Sequence, residues 1–425
     1  MSTGDRRLLW RDLALLFVLQ VVALTAFRLV LPDGAAANEG SDFDAFYRPV
    51  AEQIADGHGI ELDGEPATRY PPGYPLVLAG AFVLADVVGL PRADVVAPLT
   101  VVLAAVAGLL LHLAARRLLG RRHAWVTSAA WLLYPLTLWT TKQPNSEVPY
   151  LVGLYAAVLV LVPLLVTGRA GPRRLATVGL LLGLAAIVRP AGLVLIPAVA
   201  VVAWLRLTDG LRRRTALAAV VLVAAAVPVV AVSVWTSAQQ DQIAVLSDSN
   251  AANLVEGLSF AIDDPAEAHD LAMPGGLRDF VLDAHAREGE LLREGTAPDL
   301  LRTTARERPV VLLELVAYKA ARAWYGTESF RYQGLLLATQ VAWLGLAAAG
   351  AWRRRGDEAV RWFTALVVAL NLGAWAAAIV GLSIVRYLVP TAGLLAPLVA
   401  VALVAGARAI RRGRARGTGP RPAPA

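Results

Sequence analysis

The sequence predicts an all-α polytopic membrane protein with about ten transmembrane helices. Three observations carry that prediction. Of the 425 residues, 57% are apolar and only 17% are charged, where soluble domains carry about a quarter charged residues. The apolar residues gather into runs of about 20, the length that crosses the hydrocarbon core of a bilayer. Arg clusters occupy every second connection between those runs, as the positive-inside rule requires of cytoplasmic loops. The absence of Cys excludes disulfide scaffolds, thiolate metal sites and thiol catalysis. The five His (58, 112, 123, 269 and 285) include no close pair, so a zinc-hydrolase motif is missing as well. A net charge of +7 is no sign of nucleic-acid binding until it is divided between the two membrane sides.

In chain order the expected spans are 12–31, 95–115, 124–141, 148–166, 175–188, 191–205, 215–235, 333–352, 360–381 and 388–407. The basic clusters are Arg6/Arg7/Arg11, Arg116/Arg117/Arg121/Arg122, Arg169/Arg173/Arg174, Arg206/Arg212/Arg213/Arg214, Arg353/Arg354/Arg355 and Arg408–Arg416. Ten spans with both termini cytoplasmic place all of these clusters on one side. The apolar stretch 73–90 would break that pattern if it spanned. It follows Pro71-Pro72 and stops at Gly89 and Pro91, so it is expected to lie in the outer interface. Residues 310–325 are expected to form a second interfacial helix, with Glu314, Tyr318, Lys319 and Arg322 largely on one face and Trp324 and Tyr325 as anchors. Ala35-Ala36-Ala37 has the look of a signal-peptidase site, but the preceding run exceeds a signal core of about 7–15 residues, which favours an uncleaved anchor.

Two connections are acidic. Residues 32–94 carry nine acids between Asp33 and Glu65, and residues 236–310 carry 14 acids against six Arg. Both belong on the outer side, and 278–294 reads as amphipathic surface helix. The expected organisation is a catalytic transmembrane core over 1–235 that includes the outer loop 32–94. An outer helical segment over 236–332, C-terminal spans over 333–407 and a disordered basic tail over 408–425 follow.

Polar residues concentrate at one membrane edge. Asp42 and Asp44 lie about ten residues beyond the first span, where partial desolvation would raise their proton affinity and suit one of them to act as a base. The competing reading is a pair of solvated acids capping a helix that begins near Ala45. The run Thr68-Arg69-Tyr70-Pro71-Pro72-Gly73-Tyr74-Pro75 forms a rigid turn that presents Arg69 and Tyr70. Glu147 opens the fourth span, Arg189-Pro190 follows the fifth, and Arg386-Tyr387 opens the last. Ionisable groups at membrane depth cost a few kcal/mol and mark function by default, although Arg near a helix end also snorkels to headgroups. A donor with an anionic head and an apolar tail explains the pattern, and a polyprenyl phosphate bearing one sugar fits it. Arg189, Arg386 and Arg69 would hold the phosphate as its second charge develops. An Asp would take the proton of the attacking hydroxyl, with inversion at the anomeric carbon.

These residues resemble, in order and over nearly the whole chain, the GT-C superfamily of polyprenyl-phosphate-sugar-dependent glycosyltransferases. The similarity is to its RgtA/B/C/D-like branch, related to protein O-mannosyltransferases and to the lipid A aminoarabinose transferases. The motifs are Tyr47-x3-Ala51-x5-Gly57, the Tyr-Pro-Pro-Gly-Tyr-Pro turn at 70–75, Glu147, Gly-Leu-Ala-x-x-x-Arg-Pro at 183–190, Arg-Tyr-x-x-Pro at 386–390, and a weaker pattern at 247–257 (SDSNAANLVEG). The resemblance implies a GT-C-like fold and an inverting transfer of a sugar, such as mannose, to a hydroxyl of a glycan, lipid or protein. It places that transfer on the outer face of a bacterial plasma membrane. Asp42 is favoured as the base because Asp-Phe-x-x-Phe-Tyr is similar to the mannosyltransferase branch. The aminoarabinose transferases carry Glu-Lys before Pro-Pro where this chain has Arg69-Tyr70, which leaves Glu61 or Glu65 as stand-ins for their second acid. No cofactor is required, and a divalent ion between Asp42, Asp44 and Glu147 stays open. The competing classes are a transporter or flippase of lipid-linked sugars, which would need a polar path near the midplane, and a non-catalytic scaffold.

Overall fold

A computed structural model of the chain describes residues 3–31, 41–240, 243–247, 250–262, 264–266, 273–327 and 331–417. Its first half holds α1 (Thr3–Leu29), α2 (Arg48–Ala55), α3 (Gly73–Val88), α4 (Arg92–Leu119), α5 (Arg121–Leu132), α6 (Pro135–Thr141), α7 (Glu147–Thr167), α8 (Pro172–Val188), α9 (Leu195–Arg206) and α10 (Leu211–Gln240). The second half holds α11 (Asn250–Ser259), α12 (Gly275–Ala286), α13 (Glu288–Glu294), α14 (Ala297–Glu307), α15 (Pro309–Arg322), α16 (Gln333–Arg353), α17 (Glu358–Val380) and α18 (Ala396–Gly417). A two-stranded hairpin, β1 (Glu61–Leu62) with β2 (Glu65–Pro66), is turned by Asp63 and Gly64, both left-handed.

Among the described residues, seven helices are long and apolar enough to cross a membrane. The protein is an integral, multi-pass membrane protein. The other three expected spans are helical too, but shorter: 124–141 is the pair α5 and α6, broken where Tyr134 turns extended ahead of Pro135, and 175–188 and 191–205 are α8 and α9. Helices alternate in direction. At one end Asp12 pairs with Arg116 and Arg121, both at 2.7 Å, and Arg206 pairs with Glu358 at 2.8 Å. At the other end Arg28 donates to the carbonyls of Thr141 and Lys142. The basic clusters therefore gather at the end opposite to Glu147, Arg189 and Arg386.

The interior explains which spans are central. The last span is 83% buried over its most apolar window, whereas α1 is 22% buried and sits at the edge. The last span does not start as a regular helix: a 3-10 turn (Val385–Tyr387) and a four-residue helix (Val389–Ala392) precede α18. Irregular backbone at membrane depth needs partners for its carbonyls, and three other helices supply them. Tyr155 Oη donates to Pro390 O at 3.1 Å, Asn371 Nδ2 to Thr391 O at 3.1 Å and Trp343 Nε1 to Ala392 O at 3.0 Å. On the outside, Val223, Val227, Val230 and Val234 of α10 are exposed along one stripe, as a lipid-facing helix should be.

The expected stretch 73–90 is helical as α3, which ends at Gly89 in the left-handed conformation. Its entry is clamped to the bundle. A Cβ at Gly73 would run into the Ile187 carbonyl oxygen, one residue from the end of α8. Backbone cannot yield as a side chain does, so Gly73→Ala is expected to cost about 1–3 kcal/mol. Thermal unfolding in detergent would register this as a lowered midpoint, whereas Gly80→Ala, which meets nothing within 4 Å, should hold the midpoint or raise it, since Ala is the better helix former.

Three expectations need correction. The surface helix 278–294 is broken at Arg287 into α12 and α13, because the break lets Phe280, Val281 and Ala284 share one core with Leu291, Val255 and Leu315. The polar face of α15 does not meet headgroups: Lys319 and Arg322 are buried and donate to backbone carbonyls, while Val310, Leu313 and Val316 are the exposed side. Trp324 packs beside Trp375 rather than standing free. The basic tail continues α18 as helix to Gly417, which its Ala and Arg content favours. Residues 418–425 of that tail, the expected cleavage site Ala35–Ala37, and Asp248-Ser249 of the 247–257 motif lie outside the described residues.

Burial, with the Arg322 charge beside it, holds the Lys319 ammonium down at about 7, against an ordinary 10.5. The unfolded chain then binds more protons than the folded one between those values, so stability rises with pH across that window. Thermal unfolding midpoints should be higher at pH 9 than at pH 7, and Lys319→Met should flatten the difference.

Candidate active site

The site is assembled from four separate stretches of chain. Glu147 is the first residue of α7 and is fully buried. A helix N-terminus favours a carboxylate, and two guanidinium groups complete its surroundings. Arg189 Nη1 lies 3.1 Å from Glu147 Oε1, and Arg386 grips both carboxylate oxygens through Nε and Nη2, the latter at 3.3 Å. Such a fork is the strong form of an ion pair.

Local backbone aims each Arg. Arg189 follows the last residue of α8 with φ −148° and ψ 114°, so the chain leaves the helix there and Pro190 starts a new turn. Its Nη1 also donates to Ser146 Oγ at 3.0 Å, and its guanidinium lies 4.8 Å from the Tyr387 ring centre. Arg386 sits in the 3-10 turn, whose first residue Val385 donates its N–H to Gly326 O at 2.9 Å.

The first loop covers this cluster with aromatic rings. A π turn over Phe43–Tyr47 leads directly into α2. Tyr47 packs 5.3 Å from Tyr70 and 5.1 Å from Tyr74. Burial pushes the Tyr47 hydroxyl up to about 12, while Arg189 opposes that rise and Asp42 and Glu147 add to it. Tyr47 therefore stands among Arg189, Glu147 and Asp42, and its hydroxyl keeps its proton at neutral pH. Asp42 accepts a hydrogen bond from Tyr70 Oη at 2.9 Å, and its side chain makes no helix-capping bond. Burial first, and then the Asp42 carboxylate, push the Tyr70 hydroxyl above its ordinary value.

The two neighbouring acids part company here. Asp44 turns to Arg48 at 3.4 Å, one helical turn on. Arg69 stacks 5.3 Å from the Tyr70 ring centre and so stands on the Asp42 side of the site. Glu61 and Glu65 lie on the hairpin strands, with Glu65 exposed. Asp42, Asp44 and Glu147 do not form one ligand set, since Glu147 is taken up by two Arg and Asp44 by Arg48. Among the described residues no three acids or His gather in a way that could hold a metal ion.

Beside Arg386 a cavity of about 140 Å³ opens, lined by Leu136, Trp139, Leu336 and Ile384 and also by Thr140, Lys142, Gln143 and Asn145. Sequence reasoning missed Tyr47, Ser146 and Lys142 as members of the site. For Ser146 the available signal is adjacency to Glu147. Tyr47 enters a linear reading only through its spacing to Ala51 and Gly57, and a single Lys near Trp139 carries no pattern.

Residues 69–237 match the family described as dolichyl-phosphate-mannose-protein mannosyltransferase. The stretch runs from Arg69 through Glu147 and Arg189, and leaves out Asp42, Tyr47 and Arg386. The archaeal oligosaccharyltransferase AglB of Archaeoglobus fulgidus, in complex with an inhibitory peptide and a dolichol-phosphate, superposes with a TM-score of 0.56 at 14% identity. All of this chain is covered, and 53% of that one. The chain has the GT-C fold. A second structure of the A. fulgidus enzyme, tethered to an acceptor peptide containing the NVT sequon, gives a TM-score of 0.58 at 13% identity, covering 95% of this chain and 50% of the other. This GT-C chain thus spans about half the length of those enzymes. ArnT from Cupriavidus metallidurans bound to undecaprenyl phosphate aligns at 15% identity with a TM-score of 0.41, over 96% of this chain and 80% of that one. No curated protein sequence matches the chain.

Proposed function

We propose that the protein is an inverting membrane glycosyltransferase that moves a sugar from a polyprenyl-phosphate donor to a hydroxyl acceptor. One observation carries the reading: Arg189 and Arg386, almost 200 residues apart in sequence, meet at one buried carboxylate, with Asp42 beside the aromatic cover. Two guanidinium groups and one carboxylate leave a single positive charge, which suits the single negative charge of a donor phosphodiester. In the transfer the acceptor oxygen attacks the anomeric carbon and Asp42 takes its proton. The bond from that carbon to the phosphate oxygen breaks, and the polyprenyl phosphate departs with a second negative charge. Arg189 and Arg386 stabilise that charge as it forms. The cavity beside Arg386 has a mixed lining, with Thr140, Gln143, Asn145 and Lys142 beside Leu136, Trp139, Leu336 and Ile384, which suits the junction between the donor's polar head and its prenyl chain. Attack from the face opposite the leaving phosphate inverts the anomeric centre. The AglB structure carries a dolichol-phosphate, and the donor class proposed here is of that kind.

We place the site on the outer face of the membrane, because the basic loops gather at the opposite end of the bundle, and take that membrane as a bacterial plasma membrane from the resemblance. Reporter fusions at Gly120 and Arg92 should then report opposite sides, with Gly120 cytoplasmic. Both on one side, or Gly120 outside, would reverse the placement. Purified protein incubated with labelled polyprenyl-phosphate sugars and hydroxyl acceptors should release polyprenyl phosphate and label the acceptor. Movement of the intact labelled lipid across a liposome bilayer, with no cleavage of any donor, would establish a transporter instead.

A further inference from the structure

Two of the most deeply buried basic side chains among the described residues lie outside the site just described. Lys319 is 3% exposed and Arg322 is 0% exposed, one turn apart on α15. Burying a cation is costly unless it is well bonded, so their bonds show what the cost secures. Lys319 Nζ donates to Gly257 O at 2.8 Å and to Val380 O at 3.4 Å. Arg322 Nη1 donates to Ser383 O at 3.2 Å and Nη2 to Thr327 O at 2.7 Å. Both therefore serve the C-terminal end of α17 and the short link beyond it, where a helix leaves carbonyls without partners and where its dipole favours positive charge.

That link ends in Arg386, three residues beyond Ser383. A single guanidinium ties the Ser383 carbonyl to the Thr327 carbonyl, and next to it Val385 N–H donates to Gly326 O at 2.9 Å. The two tied stretches, Gly326-Thr327 and Ile384–Arg386, together form one wall of the cavity beside Arg386. From above, Arg322 lies 5.4 Å from the Phe260 ring centre, and Phe260 belongs to the core of the 250–315 segment. We propose that Arg322, seconded by Lys319, is a positioning residue: it fixes the 381–385 link and so sets the Arg386 guanidinium that receives the donor phosphate, a role that rests on the glycosyltransferase reading for its consequence though not for its geometry. A lysine at 322 would keep the charge but carry its donors on one nitrogen, whereas the planar fork of Arg sets Nη1 on the Ser383 carbonyl and Nη2 on the Thr327 carbonyl.

The test uses the full chain in lipid nanodiscs. Backbone hydrogen exchange is followed for wild type, Arg322→Met, Arg322→Lys and Lys319→Met, together with binding of a polyprenyl phosphate that carries no sugar. Arg322→Met should raise exchange across 381–388 by at least about tenfold, leave α8 and α16 unchanged and weaken polyprenyl phosphate binding by about tenfold. Arg322→Lys should fall between it and wild type. In the transfer assay the donor KM should rise more than kcat falls. Unchanged exchange at 381–388 in Arg322→Met, or raised exchange there with unchanged polyprenyl phosphate binding, would overturn the proposal. So would exchange rising evenly along the whole chain in Arg322→Met, Arg322→Lys and Lys319→Met, which marks a residue that merely holds the fold. A wild-type protein that binds no polyprenyl phosphate would sink the glycosyltransferase reading instead, while the exchange data would still decide whether Arg322 sets the link to Arg386.

Discussion

Asp42→Asn should bind donor normally and turn it over at least about 100-fold more slowly, the low end for loss of a general base. The substitution keeps the shape and leaves an amide oxygen that can still accept from Tyr70, so the loop geometry survives. It removes only the capacity to take the acceptor proton. Asp44→Asn is the internal control, because its partner is Arg48 on the first exposed turn and not the aromatic cover. Steady-state transfer with a labelled donor, paired with direct donor binding, separates the two effects. A dead Asp44→Asn with an active Asp42→Asn would exchange the roles of the two carboxylates. If both variants stay active, the base lies elsewhere.

Arg386→Ala and Arg189→Ala should each cut kcat by about 10²–10³, the range for removing one donor aimed at developing negative charge. Lys at either position should retain part of that activity, since it keeps the charge and loses the fork. The two positions should not be equal. Arg386 meets both oxygens of Glu147 while Arg189 meets one and shares itself with Ser146 and the Tyr387 ring. Substitution by Lys should therefore cost more at 386 than at 189. Full activity in either Ala variant, with the fold intact by thermal unfolding, would remove that Arg from the phosphate clamp.

Much of the architecture is local and therefore legible in the residues. Apolar runs specify helices because a bilayer demands internal backbone bonding, and Pro71-Pro72 with Gly89 and Pro91 bound α3 nearly to the residue. The broken entry of the last span is less legible. Its carbonyls are satisfied by Tyr155, Trp343 and Asn371 from three other helices, and no window of sequence around 385–395 contains those partners. The amphipathic pattern of 310–325 identifies a helix but misleads as to which face is buried. Cationic side chains look solvent-seeking in a linear reading, and only packing reveals the carbonyls that receive Lys319 and Arg322.

The site divides along the same line. Charge and position alone mark Asp42, Asp44, Arg69, Glu147, Arg189 and Arg386 as residues out of place at a membrane edge, because ionisable groups there carry a cost that composition exposes. What composition could not show is how those charges pair. The sequence suggests two Arg closing on an anion from outside the protein. The tertiary structure places the chain's own Glu147 between them, turns Asp44 away to Arg48 and brings Tyr47 near Arg189, Glu147 and Asp42. Pairing depends on distances between residues up to 239 positions apart, and such distances are set by helix packing rather than by any local preference of the chain.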